Sequence, residues 1–187
     1  IATGASSLKD VKDLMKLIDL KKTDICLMQC NTNYTGTNEN INFQNLNVLK
    51  TFKQEFPDVV LGLSDHTFGF ISVLGAITLG AKIIEKHFTD DNSRVGPDHH
   101  FAMNPSTWRE MVEKSRELER TLGSEIKKIE KNENQTVIIQ RRSIRASRSL
   151  KKGDKINYND LDFLRPCPGK ALTPMEYDNI LGKKLKN

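Results

Sequence analysis

The sequence predicts an α/β fold with a parallel sheet, on the basis of three observations. Short apolar runs and amphipathic segments alternate four times within residues 1–122, which is the pattern of tandem β/α units. Each apolar run is followed by polar residues, and parallel sheets bind ligands at the carboxyl ends of their strands. The last helix runs directly into a charged segment. Four units could form half of an eightfold barrel or a small open sheet. A last helix that continues into a linker favours the half barrel, because the eighth unit of a barrel would end in this way.

The first two units are predicted from strand ends and helix caps. Residues 1–5 form the end of a strand and its turn, and Ser6 or Ser7 can cap the helix that follows. The second strand is expected from Asp24 to Gln29, and its helix from Phe43 to Phe56. The inward positions of the first helix share helical spacing: Leu8, Val11, Leu14, Met15 and Ile18.

The third and fourth units follow the same order. Val59–Leu63 is an apolar run between polar segments, which predicts a strand buried on both faces. The segment from Phe68 to Leu79 is long enough for three helical turns, and Gly80 suits the position just past its end. A second buried strand is expected at Ala81–Phe88, and the last helix at Pro105–Leu122.

Two histidines occupy equivalent positions in the third and fourth units. His66 and His87 each lie just past the apolar part of a strand, and the helix between them is the crossover that makes those strands neighbours. Neighbouring parallel strands lie about 4.8 Å apart, so two imidazoles at one sheet edge can bind one ion at about 2.1 Å each. The spacing therefore permits a two-histidine metal site.

A structural role is the alternative for either histidine alone, because a single His at a strand end is usually a hydrogen-bonded structural group. The pair has hydroxyl and charged neighbours, which favour a metal-binding or catalytic role: Ser64, Asp65, Glu85 and Lys86. His99 and His100 follow Asp98 in a polar loop. We expect these two to be loop residues rather than ligands.

Composition restricts the function classes. The 187-residue chain has a net charge of +5, but its basic residues are mixed with acidic ones, which favours a solvated surface over a nucleic-acid site. No apolar run is long enough to span a bilayer. Cys26, Cys30 and Cys167 form neither a CxxC pair nor an even set, which favours reduced thiols in the cytoplasm. The chain starts with Ile1, and we expect it to begin inside a domain.

The composition changes after the last β/α unit. Residues 1–124 hold the repeated units, and the charged, Asn-containing segment 125–139 is interpreted as a linker. Residues 140–187 contain a strand, tight turns and short helical turns. Some fifty residues bury only a small core, so we expect this second domain to be incomplete and to dock on a larger partner.

Five motifs extend over nearly the whole chain: GLSDHT (62–67), IEKHFT (84–89), GPDHHFAM (96–103), RRSIRASRSLKKGD (141–154) and LRPCPGKALTP (164–174). Together they resemble the sialic acid synthase family. The resemblance implies the C-terminal half of a (β/α)8 TIM barrel followed by a small antifreeze-like (SAF, β-clip) domain. It also implies condensation of phosphoenolpyruvate with an N-acetylmannosamine-type sugar, giving a nonulosonic (sialic) acid and phosphate. In that family the small domain reaches the partner's active site in a domain-swapped homodimer.

The resemblance implies roles for individual residues. His66 and His87 match the two ligands of a divalent metal, usually Mn²⁺, with Mg²⁺ or Co²⁺ as alternatives. Ser64 matches a residue near the phosphate of phosphoenolpyruvate, and Asp98 a carboxylate close to the reacting sugar. Further substrate-binding positions are implied in the polar loop after the second strand and in the small domain: Thr32, Asn33, Tyr34 and Arg165.

These parts suggest a mechanism. A metal on two neutral imidazoles would polarise the sugar aldehyde as a Lewis acid, while C3 of phosphoenolpyruvate attacks. Asp98 and Glu85 are the candidates for proton transfer, with acid and base left open. For Glu85 the alternatives are a salt bridge to Lys82 or Lys86 and the orientation of a histidine. For Arg165 the alternative is to rigidify a proline-rich turn.

In the family, earlier strands supply lysines and hydroxyl groups that hold phosphoenolpyruvate, and those strands are missing from this sequence. We therefore expect a fragment that leaves a sheet edge open and is inactive alone. Two other functions remain open. One is a related enzyme that condenses phosphoenolpyruvate with a sugar phosphate, and the other is a non-catalytic binding module, which rests on fold analogy. We expect neither nucleic acid nor membrane as a partner.

Overall fold

The computed structural model describes residues 1–186, and Asn187, the last residue of the predicted second domain, lies outside the described residues. The chain divides into two compact units, Ile1–Gly123 and a second unit from Ser124 onward. None of the helices in the described part of the chain is long and apolar enough to cross a membrane.

The first unit alternates helices with strands. Its helices are α1 (Leu8–Met15), α2 (Val48–Glu55), α3 (Ile71–Thr78) and α4 (Pro105–Leu122). Its strands are β1 (Cys26–Cys30), β2 (Val60–Asp65) and β3 (Ile83–Lys86), and a 3₁₀ helix spans Asn38–Phe43. The strands form a parallel sheet in the order β1-β2-β3. This alternation and the parallel pairing confirm the predicted α/β fold.

Two short segments continue the parallel pairing beside the sheet. Ala2 forms a parallel bridge with Met28 of β1, and Met103 forms one with Phe88, just past β3. The N–H of Met103 donates to the carbonyl of His87 at 2.8 Å. The first bridge is the predicted strand end at residues 1–5, and the second holds the chain that follows β3.

Local sequence explains where the helices begin and end. Ser7 caps α1 and Asn104 caps α4, each in a capping box that satisfies the free N–H groups of the first turn. Pro105 opens α4, where its missing N–H is not needed. Gly80, just past α3, has a φ of 100°, which a residue without a Cβ adopts readily.

Three predictions for the first unit differ from the structure. Helix α2 begins at Val48 rather than Phe43, because the preceding residues form the 3₁₀ helix and Asn45 has a φ of 46°. Strand β3 was predicted to be buried, but it lies at the edge of the sheet and Ile83 is 44% exposed. The predicted inward stripe of α1 is also too wide, since Leu8 and Leu14 are exposed and Val11 and Met15 carry the buried face.

Apolar side chains from the sheet and the helices form the core of the first unit. Fully buried members include Leu27, Leu49, Leu63 and Val73, which come from β1, α2, β2 and α3. Trp108 of α4 packs against this core, and its ring meets Phe88 edge-on at a centroid distance of 5.6 Å. The packed core fixes the strand ends on which the polar residues lie.

The second unit is built from small elements. It contains α5 (Asn134–Gln140) and an antiparallel pair of strands, β4 (Ser143–Ala146) and β5 (Leu161–Leu164). Three 3₁₀ turns complete it: Lys131–Glu133, Tyr158–Asp160 and Pro174–Asn179. Strand β4 and the last two turns follow the predictions, whereas β5 was not predicted. Helix α5 begins in the segment interpreted as a linker and ends at Gln140, one residue past it.

Candidate active site

The register of the sheet brings the two predicted metal ligands together. Asp65 at the end of β2 pairs with Lys86 at the end of β3, and His66 and His87 are the next residues. Their ring centroids lie 5.0 Å apart, and the ring planes meet at 71°. The predicted proximity of the two imidazoles is thus observed.

His66 is held in one orientation. Its side chain is buried, and its Nδ1 lies 2.8 Å from the backbone carbonyl of Asn31. Because a carbonyl only accepts, Nδ1 carries the proton and Nε2 of the neutral ring keeps a free lone pair. Burial lowers the pKa of His66, although the hydrogen bond to Asn31 acts in the opposite direction. Burial therefore favours the neutral ring, the form that binds a metal.

His87 is more open and has a carboxylate beside it. Its Nδ1 lies 3.5 Å from Oδ2 of Asp98, and both side chains are partly exposed. On the other side, the ring of Phe101 lies 5.1 Å from the ring of His87. Asp98, predicted from the GPDH motif, is therefore next to the histidine pair and open to solvent, where it can accept or donate a proton.

Tyr34 lies over both imidazoles. Its ring centroid is 4.2 Å from that of His66 and 5.5 Å from that of His87, and its side chain is about half exposed. A phenol in this position can contact a molecule bound above the two histidines. The predicted polar loop therefore reaches the predicted metal ligands.

Side-chain amides shape the loop that carries Tyr34. Oδ1 of Asn31 accepts from the N–H of Asn33, and Oδ1 of Asn33 accepts from the N–H of Thr35. These are successive Asx turns. The buried Asn40 donates from Nδ2 to the carbonyl of Asn33 at 3.1 Å. Asn33 thus acts in the structure as a loop former, and its predicted contact with substrate stays a prediction.

Gly36 closes this loop against the histidine-containing loop. Its φ is +58°, and a Cβ placed on it would lie 2.4 Å from Nε2 of His100 and 2.6 Å from Cδ1 of Phe101. Only a glycine fits both the backbone conformation and this contact. The loop after β1 and the loop after β3 are therefore packed together.

Ser64 and Glu85 form a direct pair across the sheet. The Ser64 hydroxyl donates to Oε1 of Glu85 at 2.8 Å, and Ser64 is buried. Lys86, proposed as a salt-bridge partner of Glu85, pairs instead with Asp65 at 2.8 Å. Glu85 thus lies on the same edge as the histidines with its carboxylate bonded to a hydroxyl group. The role of Ser64 near a phosphate stays a prediction.

The remaining predicted residues make other contacts or lie in the second unit. Thr32 is exposed and lies against Gly4, beside the turn after the first strand segment. Arg165 is exposed in the second unit and follows β5. His99 bonds to Thr89 within its loop, as expected of a loop residue.

The donor set fits a two-histidine metal site. An ion about 2.1 Å from one nitrogen of each ring lies roughly 3 Å from each ring centroid, so rings 5.0 Å apart can share it. Within residues 1–186, no group of three or more His, Cys, Asp and Glu is placed to hold a metal ion. Two imidazoles therefore leave several coordination positions for water or substrate.

Comparison with known protein families decides the family. Residues 1–127 match the model of the NeuB family, and residues 141–187 match the SAF domain. The chain belongs to the NeuB family. The predicted resemblance to sialic acid synthases is thereby confirmed, as is the predicted fold class, a half barrel followed by a SAF domain.

Individual relatives agree with this membership. The NeuB-family chain is 36% identical over 190 residues to N,N'-diacetyllegionaminic acid synthase of Legionella pneumophila, covering 99% of this chain and 52% of the relative. It is 35% identical over 188 residues to an uncharacterized protein of Methanocaldococcus jannaschii. That match covers 100% of this chain and 54% of the relative. The crystal structure of spore coat polysaccharide biosynthesis protein SpsE from Bacillus subtilis superposes with a TM-score of 0.59 at 28% identity. The superposition covers 98% of this chain and 55% of the SpsE chain. The chain thus spans about half the length of the curated relatives it matches.

Two contributions to the site were not predicted from the sequence. The backbone carbonyl of Asn31 orients His66, and the ring of Phe101 packs against His87. A carbonyl leaves no residue-type signal, since every residue has one. The apolar Phe101 could have been suspected from its place directly after His99 and His100, in a loop that is otherwise polar.

Proposed function

We propose that this NeuB-family chain carries the metal-binding half of an enzyme that condenses phosphoenolpyruvate with an N-acetylmannosamine-type sugar. The products are a nonulosonic acid and phosphate. One observation supports this most directly: the imidazole ring centroids of His66 and His87 lie 5.0 Å apart at the carboxyl end of a parallel sheet. That edge is where parallel α/β folds place their catalytic groups.

Each residue of the site has a part in this reaction. His66 and His87 would hold a divalent metal, with Mn²⁺ as the first candidate and Mg²⁺ or Co²⁺ as alternatives. When bound, the metal would supply Lewis-acid polarisation of the sugar's aldehyde. Tyr34 offers an aromatic face and a hydroxyl group to the sugar. In the overall reaction C3 of phosphoenolpyruvate bonds to the aldehyde carbon, water adds at C2, and phosphate leaves.

Two carboxylates are placed for proton transfer. Asp98 lies 3.5 Å from Nδ1 of His87 and is open to solvent, which suits exchange of a proton with the sugar oxygen. Glu85 accepts from Ser64, so it can orient that hydroxyl group or receive a proton through it. Thr32, Asn33 and Arg165 complete the proposed substrate contacts.

The test is an assay of the full-length protein with phosphoenolpyruvate and N-acetylmannosamine, in which released phosphate and the acidic sugar are both measured. His66→Ala and His87→Ala are each expected to reduce turnover about 100-fold or more, as for loss of a metal ligand. The exposed His100→Gln serves as the matched control and should keep most of the activity. Unchanged turnover in both alanine variants would contradict the proposal.

Substrate choice is tested with the same protein. The 2,4-diacetamido sugars that give legionaminic and pseudaminic acids are assayed beside N-acetylmannosamine and a sugar phosphate, because relatives include N,N'-diacetyllegionaminic acid synthases and pseudaminic acid synthases. Faster turnover of a phosphorylated sugar would favour the sugar-phosphate alternative. We further propose a cytoplasmic, domain-swapped homodimer. Light scattering of the full-length protein measures its mass and so tests the number of subunits.

A further inference from the structure

A buried ion pair lies directly behind the two histidines. Asp65 and Lys86 are register partners on β2 and β3, and each immediately precedes one of the imidazoles. Because successive side chains of a strand point to opposite faces, this pair lies on the helix side of the sheet. The histidines lie on the other side. The ion pair therefore joins the same two strands that carry the candidate metal ligands.

The pair is fully removed from solvent. Nζ of Lys86 lies 2.8 Å from Oδ2 of Asp65, and the exposed fractions of the two side chains are 2% and 0%. All other salt bridges in the described residues of the first unit have more exposed partners. Burial makes this pair resistant to screening and fixes its geometry.

Further hydrogen bonds tie the pair to the backbone on both sides of His66. Nζ of Lys86 also donates to the carbonyl of Thr67 at 2.6 Å. The other oxygen of Asp65, Oδ1, accepts from the N–H and the hydroxyl group of Thr67 at 2.9 and 2.7 Å. The hydroxyl groups of Thr67 and Ser72 lie 3.2 Å apart, which adds α3 to the network. The backbone of His66 thus lies between two residues that share one network.

Stability alone does not explain charges at this position. Replacing a buried ion pair by well-packed apolar residues is often neutral or stabilising, because the attraction barely offsets the lost hydration. The pair does specify geometry, since it joins the register partners that precede the two histidines and fixes the backbone around His66. We propose that Asp65 and Lys86 are positioning residues that set the separation and angle of the His66 and His87 rings. This inference rests on the metal role given above.

The test separates geometry from stability. In the full-length chain, the double variant Asp65→Leu/Lys86→Met removes both charges at similar volume. It also leaves the N–H and the carbonyl of Thr67 without these partners, so its free energy of unfolding is measured in urea beside its metal binding. We expect its dissociation constant for Mn²⁺ to rise about tenfold, within the range seen when the surroundings of metal ligands are changed. We also expect the visible absorption spectrum of bound Co²⁺ to change, because it depends on ligand geometry.

Controls make every outcome decisive. The exposed pair Lys114–Glu117 on α4 also has a 2.8 Å contact, and Lys114→Met/Glu117→Leu should leave metal binding unchanged. A folded double variant with the unaltered Mn²⁺ dissociation constant and Co²⁺ spectrum overturns the inference.

Should the double variant fail to fold, Thr67→Val removes one hydrogen bond to Asp65 and keeps both charges. Metal binding by that variant equal to the unmutated protein would likewise overturn it. If the unmutated protein binds no divalent metal, the proposed metal role itself fails, and the inference fails with it.

Discussion

The two units of the chain are held together by different kinds of contact. In Ile1–Gly123, buried apolar side chains from β1, β2 and all four helices meet in one core, against which the partly buried Ile84 of β3 packs. In the described part of the second unit, Ile156 is the only buried hydrophobic side chain, and the other buried groups are Ser143 and Asp160. The candidate metal ligands lie in the unit with the apolar core. A packed core holds strand ends rigidly, whereas hydrogen-bonded turns fix only their immediate neighbours.

Their ion pairs differ in the same way. Asp65 and Lys86 are both inaccessible to solvent, but in the second unit Arg148, which bonds to Asp160 at 2.7 Å, is half exposed. That bond lowers the pKa of Asp160. An exposed guanidinium remains hydrated, so this contact is screened by salt. The comparison indicates that buried contacts fix the geometry of the first unit, whereas this ion pair of the second unit lies at a solvent-exposed surface.

The largest effect is expected in the apolar core. Leu63 on β2 is completely buried, and Leu63→Ala should lower the free energy of unfolding by about 2–5 kcal/mol through lost packing and a cavity. Urea unfolding followed by far-UV circular dichroism measures the change. Val95→Ala, at a fully exposed position, is the control and should stay within about 0.5 kcal/mol. A loss below about 1 kcal/mol for Leu63→Ala would contradict the role of this core.

Two glycines with similar backbone conformations sharpen the comparison. Gly36 of the first unit and Gly169 of the second have φ values of +58° and +52°, but only Gly36 has atoms within 4 Å of a Cβ position. Gly169→Ala should cost about 1–2 kcal/mol of stability for the left-handed conformation alone. Gly36→Ala should cost at least about 1 kcal/mol more, because the methyl group overlaps His100 and Phe101. Equal losses of stability in urea unfolding would show that the loop of Gly36 does not contact the loop of His100 and Phe101.

A smaller effect is expected from a hydrogen bond of the second unit. The buried Ser143 hydroxyl donates to the carbonyl of Pro166 at 2.8 Å, and Ser143→Ala should cost about 1 kcal/mol. Hydrogen exchange measured by mass spectrometry should show the loss in β4 and β5 only. The exposed Ser149→Ala is the matched control. Faster exchange spreading into β2 would contradict the separate stabilisation of the two units.

The smallest effect is a pH dependence confined to the first unit. Burial lowers the pKa of His66 from its usual value of 6.5, so at lower pH the unfolded chain binds a proton that the folded chain does not. The free energy of unfolding therefore falls as the pH drops from 6.5 through the lowered pKa, with a slope of at most about 1.4 kcal/mol per pH unit. Urea unfolding of the unmutated protein and His66→Gln across this range measures it. Identical slopes in both proteins would refute the prediction.

Periodicity and capping residues were enough to predict most of the first unit. The bounds of α4 and the positions of Ser7, Asn104 and Gly80 follow from local rules that hold in any tertiary context. The placement of His66 beside His87 followed from parallel topology, because one crossover helix makes two consecutive strands neighbours. These features depend on short stretches of sequence, which is why they could be predicted.

Other features depend on contacts that sequence patterns do not carry. Strand β3 has the composition of a buried strand, but its exposure depends on what lies beside it. Strand β5 was missed because its four residues overlap a predicted helical turn and a proline-rich loop, which leaves too short a run for a periodic pattern. The pairing of Asp65 with Lys86 rather than Glu85 with Lys86 depends on which sheet face each side chain occupies, and the register decides that.

Trp108 is the only tryptophan of the sequence, and it packs edge-on against Phe88, directly after His87. Its intrinsic fluorescence therefore reports on packing within the first unit. Emission at long wavelength would mark the loss of that packing. The chain thus contains a natural optical probe of its first unit, packed against the residue that follows a candidate metal ligand.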